Sequence, residues 1–98
     1  MTIDKVQDGV KLTVKVSGRL DTTTAPELED DLKASIEGIE ELIMDLSELE
    51  YISSAGLRVL LSAQKVMNKQ GSMTVTGAGS TIMEIFEVTG FTDILTIQ

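Results

Sequence analysis

Residues Leu42 to Leu46 read LIMDL, a run of large apolar side chains broken by a single aspartate. Such a run predicts a strand buried on both faces of a mainly parallel sheet, and a parallel sheet must be covered by helices. The flanking sequence supplies them. After Gly18-Arg19-Leu20-Asp21 comes TTTAPELEDDLKASIEG, where Thr24 and Glu27 form a T-x-x-E capping box and Pro26 sits in the first turn. Leu28, Leu32, Ser35 and Ile36 form its inward stripe, and Gly38 is the expected stop. A second helix is expected from about Ala55 to Gln70, ending at Gly71, and a third over Thr81 to Thr89 with a box at Thr81 and Glu84.

The remaining strands follow from alternation. Lys11 to Ser17 reads KLTVKVS, with Leu12, Val14 and Val16 on one face, and a short strand around Ile3 to Val6 pairs with it through the turn Gln7-Asp8-Gly9. Met73 to Thr76 and Ile94 to Ile97 complete the order β-β-α-β-α-β-α-β. The fold class is therefore α/β, one domain over residues 1–98, with a small mixed sheet flanked by helices and right-handed crossovers.

Composition removes whole classes of function. There is no cysteine and no histidine, so disulfides, thiolate chemistry, imidazole catalysis and the usual zinc sites are absent. One tyrosine and two phenylalanines leave the core to aliphatic residues, without a large aromatic-lined pocket. A formal charge of −8 repels phosphate backbones and anionic lipid. No cofactor, metal, nucleic acid or membrane partner is expected. The first residues, MTIDKVQDGV, lack a basic segment followed by an apolar run, and no window approaches the length of a membrane span, so the chain reads as cytoplasmic.

The segment YISSAGLRVLL, Tyr51 to Leu61, carries the candidate site. Ser53 and Ser54 stand at a strand-to-helix turn, where serine is a preferred N-cap. Gly56 in the first helical turn costs roughly 1 kcal/mol against alanine, and close approach of another molecule to the backbone is one reason for it. One serine caps the helix, or one accepts a phosphoryl group, or one does both. A phosphate there would face the positive end of a helix dipole. Arg58, Ser62, Lys65 and Lys69 recur at helical spacing and hold every basic residue beyond Tyr51, reading as a solvated face or a docking stripe.

Other groups carry less. Glu27, Glu29, Asp30 and Asp31 complement a helix dipole and match no calcium loop. Asp45 either bonds loop amides ahead of Ser47 or orients the acceptor serine, and Ser47 with Glu50 forms an S-x-x-E box that makes Ser47 a cap. GAGS, Gly77 to Ser80, lies where a phosphate loop would but lacks both phosphate-loop patterns. A small enzyme or nucleotide binder built on Asp21, Asp45 and GAGS is the weakest reading.

DLSELEYISSAGLRVLL, with SGRLDTTTAPELEDDL upstream and GFTDILTI at the end, resembles the STAS family of sulfate-transporter and anti-sigma-factor-antagonist domains, over nearly the whole chain. The resemblance implies a STAS-like sheet flanked by helices and a non-enzymatic partner switch in transcription regulation. The unphosphorylated protein would bind an anti-sigma factor that is also a serine kinase and so release a sigma factor. Serine phosphorylation would break the complex, and a serine phosphatase would restore it.

The family's D-S-x-G-L pattern, anchored on Gly56 and Leu57, puts the phosphoacceptor on Ser54, with Ser53 as runner-up standing where the pattern has Asp. Asp21, Ser53, Gly56, Leu57, Arg58 and Lys65 are the residues expected to meet the partner. The alternative is an accessory subunit of a transporter or a stressosome-like scaffold, in which Ser54 is a cap and the basic stripe makes the contact.

Overall fold

The computed structural model describes all 98 residues. Strand β1 (Thr2–Asp8) runs antiparallel to β2 (Lys11–Leu20), and helix α1 (Ala25–Ser35) leads to β3 (Glu41–Asp45). Then come β4 (Leu49–Ile52), α2 (Ser54–Gln70), β5 (Ser72–Thr76), α3 (Ser80–Thr89) and a 3-10 turn over Phe91–Asp93. The sheet order is β1-β2-β3-β5, with β3 parallel to both β2 and β5.

The expected class and succession of elements are found, with two refinements. Strand β4 is an addition: it pairs in parallel with the far end of β2, Gly18 opposite Leu49 and Leu20 opposite Ile52, across an irregularity between Gly18 and Arg19. The ten-residue β2 thus serves β3 with its first half and β4 with its second. At the other end of the chain, the strand expected over Ile94 to Ile97 contracts to one bridge between Val75 and Ile97. The amides of Ile94 and Leu95 donate to the carbonyl of Phe91, so a turn holds the first half of that segment.

LIMDL is a central strand but not one buried on both faces. Leu42 and Met44 are fully buried, whereas Ile43 and Asp45 on the opposite face are half-buried. Handedness explains this. The crossovers β2-α1-β3 and β3-α2-β5 step in the same direction along the sheet, so right-handed connections put both helices on one side. That side holds one core of 23 buried residues, with Leu12, Val14, Val16, Met73 and Val75 from the sheet facing Leu28, Leu32, Leu60 and Met67 from the helices. The other side carries Thr13, Lys15, Thr74 and Thr76, all half-buried.

None of the three expected capping boxes forms. Thr24 does precede α1, with Pro26 in its first turn, but its hydroxyl donates to the Arg19 carbonyl at 2.9 Å and accepts from the Asp21 amide at 2.8 Å. Helix α3 starts one residue early, at Ser80, with Gly79 as its N-cap and no side-chain cap. Ser47 caps nothing, since a strand follows it. Two acids of α1 are partners of lysines: Asp31 pairs with Lys5 of β1, and Glu29 lies 2.9 Å from Lys33 one turn on.

Gly71 ends α2 as expected, for a steric reason. A Cβ there would sit 1.9 Å from the carbonyl oxygen of Glu40, which accepts the Ser72 amide and opens the β3–β5 pairing. Gly71→Ala should therefore cost about 1–3 kcal/mol, seen as a fall of roughly 10 °C in the circular-dichroism melting temperature. An unchanged midpoint would contradict this close approach.

Candidate functional site

The site is the junction of β4 and α2. The Ser53 amide donates to the Leu20 carbonyl at 2.9 Å, which ties the junction to the end of β2. Ser53 is extended, with φ −93° and ψ 175°, and its side chain accepts from the Gly56 amide at 3.3 Å. It is the N-cap of α2. Ser54 is the first residue of the helix, exposed, and its hydroxyl makes no hydrogen bond. Ser53 takes the capping role that the sequence left open between the two serines, and the Ser54 hydroxyl stays free.

Gly56 is not where another molecule approaches the backbone. It is buried, and a Cβ on it would meet Leu20 Cγ at 2.7 Å, Ile52 Cγ1 at 2.8 Å and the Leu20 carbonyl oxygen at 3.0 Å. Close approach of backbone is the right reason for the glycine, but the approaching element is the protein's own β2. Leu57 is likewise a core residue, 6 % exposed. Of the residues expected to meet a partner, Gly56 and Leu57 therefore lie under the surface, while Arg58 and Lys65 are exposed on it.

Asp21 borders the junction from the β2–α1 loop, next to Leu20. Its carboxylate accepts from the amides of Thr23 and Thr24 at 3.0 and 3.1 Å and lies 3.2 Å from the Thr24 hydroxyl. The Thr24 amide bond is the main influence holding its pKa below the usual 3.8. Arg19 lies 3.9 Å from it and also stacks on Tyr51 of β4, 4.4 Å from the ring centroid. Asp21 is thus an anchor of the loop beside Ser53.

Asp45 takes the first of its two expected roles. It accepts the Ser47 amide at 2.9 Å, and that bond is the leading cause of its lowered pKa. The GAGS loop has packing duties: Gly77, at φ +73°, would put a Cβ 2.9 Å from Ser47 Cβ, and Gly79 caps α3.

Arg58, Ser62, Lys65 and Lys69 all lie on the exposed face of α2. Lys5, Lys11, Arg19 and Lys33 each make an ion pair, but Arg58, Lys65 and Lys69 make none. Leu61, seven residues beyond Ser54, is half-buried on the same stripe, and helical spacing is the signal that could have found it. Gln64 gave no signal in sequence. It is 7 % exposed, donates to Asn68 at 2.8 Å, and leaves its carbonyl oxygen unpartnered.

The model of the STAS domain matches residues 2–98. The chain belongs to the STAS domain family. BtrV of Bordetella bronchiseptica, provisionally named an anti-sigma factor antagonist, is 36% identical over 99 residues, covering 99% of this chain and 84% of BtrV. The crystal structure of an anti-sigma factor antagonist from Mycobacterium paratuberculosis superposes with TM-score 0.89 at 27% identity, over 98% of this chain and 83% of that one. The Bacillus cell fate determinant SpoIIAA, in its phosphorylated form, shares the fold with TM-score 0.77 at 13% identity, over 99% and 91% of the two chains. No helix of this STAS domain is long and apolar enough to cross a membrane.

Ser53→Ala should cost about 1 kcal/mol in urea unfolding, and Ser54→Ala should change stability by less than about 0.5 kcal/mol. The reverse order would make Ser54 the cap. The depressed pKa of Asp45 adds stability that is complete above its unfolded value near 3.8 and is lost as pH falls through the lower folded value. The urea midpoint of the wild type should therefore fall more steeply between about pH 4 and about pH 2 than that of Asp45→Asn.

Proposed function

We propose that this STAS domain is an anti-sigma factor antagonist whose state is written on Ser54. In the unphosphorylated form it binds an anti-sigma factor that is also a serine kinase, and a sigma factor is thereby released. The kinase then transfers a phosphoryl group from a nucleoside triphosphate to the Ser54 Oγ, and the complex dissociates. A serine phosphatase cleaves the new P–O bond with water and restores the binding form. The names of its relatives support the antagonist role.

One observation carries the choice of serine: the Ser54 hydroxyl is exposed and unbonded, while Ser53 spends its own on the Gly56 amide. An acceptor must leave its local hydrogen bonds to enter a kinase active site, and Ser54 has none to leave. The same position explains how one group turns binding off. A phosphoserine brings about −1.5 to −2 charges to a surface that the partner must cover, and a dianion buried without matching cations loses several kcal/mol. Each 1.4 kcal/mol is about tenfold in affinity. The proposed partner face comprises Ser54, Arg58, Leu61 and Lys65, with Asp21 and Ser53 at its rim.

Ser54→Asp should weaken capture of the co-purifying kinase by at least about tenfold, while Ser54→Ala keeps binding and abolishes phosphate incorporation. Isothermal titration and intact-mass measurement, with and without phosphatase treatment, read the two effects. Incorporation that persists in Ser54→Ala, or moves to Ser53, would sink the assignment.

A further inference from the structure

Arg58 stands four residues after Ser54 on the exposed face of α2, so the two side chains are neighbours on the helix surface, with Cβ atoms about 5–6 Å apart. Side chains on a helix lean toward its N-terminus, so Arg58 extends over the turn that carries Ser54. Its guanidinium has no ion pair, and the first turn of α2 holds no acid to compete for it. The other cations of α2 stand far along the helix, and Arg19 of β2 is already engaged. Lys65 lies eleven residues along the helix from Ser54, about 16 Å of rise, and Arg19 is held over Tyr51 beside Asp21.

We propose that Arg58 clamps the phosphoryl group carried by Ser54, pairing with it within the same helix. This rests on Ser54 as the phosphoacceptor. The planar fork of arginine donates two parallel N–H bonds to phosphate oxygens, which an ammonium cannot match. Phosphorylation then alters the partner face twice, by adding the dianion and by withdrawing the first cation of the stripe. A partner carboxylate that meets Arg58 in the unphosphorylated form loses its counter-charge at the moment a like charge appears beside it.

The test needs neither kinase nor partner. Phosphoserine is installed at position 54 during synthesis, in the wild type and in Arg58→Gln, and the second ionisation of the phosphate is followed by phosphorus NMR. Asp21 and Glu50, the acids on the neighbouring loop and strand, are the same in both proteins. The wild-type phosphate should ionise about half a pH unit lower than in Arg58→Gln, from a starting value near 6, with Arg58→Lys between the two. Equal values in the wild type and Arg58→Gln overturn the clamp. Because the phosphate is installed, that result stands apart from whether the cell phosphorylates Ser54, which the mass measurement on native protein reads.

Discussion

The first turn of α2 lies so close to the end of β2 that no side chain fits between them. Gly56 is the point of contact: even one methyl group would drive into Leu20 and Ile52 at 2.7 and 2.8 Å. This proximity is possible because β2 runs on past β3 to pair with β4, bringing Leu20 opposite Ile52 just where the chain turns into the helix. The Leu20 carbonyl then accepts the Ser53 amide and fixes the turn. A helix seated in this way presents its first two turns in one orientation to the sheet.

From that seating come the different fates of adjacent residues. Ser53, extended, folds its hydroxyl back onto the Gly56 amide. Leu57 enters the core, and Ser54 and Arg58 are left outside. The glycine that costs helix propensity is therefore the residue that orients the site. Its cost of about 1 kcal/mol is offset by the burial of Leu57, Leu60 and Ile52, since full burial of such a side chain contributes about 1.5–3 kcal/mol.

Most of the architecture could be read from sequence, because periodic patterns report which residues face a core. The alternation of Leu12, Val14 and Val16, the boundaries of α2 and the stop at Gly71 are of this kind. Strand β4 escaped because LEYI offers four residues, too few to establish a period, and its partners at the tail of β2 lie thirty-one or thirty-two residues earlier. The box at Thr24 misled because its hydroxyl is taken up by Asp21 and Arg19, three and five residues earlier, upstream of the four residues that the motif reads. At the site, spacing located the two serines but could not divide them. That division depends on the φ and ψ of Ser53 and on what lies beneath Gly56. The same blindness put Gly56 and Leu57 on the surface.

The charge distribution sets how far a switch at Ser54 can reach. The chain carries −8 overall, yet the outer face of α2 presents three cations without ion pairs. At physiological ionic strength a surface charge is felt over about 8 Å. Arg58, one turn from Ser54, falls inside that distance, whereas Lys69 is fifteen residues on, about 22 Å of helix rise. A phosphoryl group on Ser54 would thus cancel the near end of the stripe and leave the far end as it was. For such a group to release a partner, the contact must centre on the near end, around Arg58 and Leu61. A partner held by Lys69 alone would scarcely sense the modification. The position of the hydroxyl on the helix therefore restricts where its reader can sit.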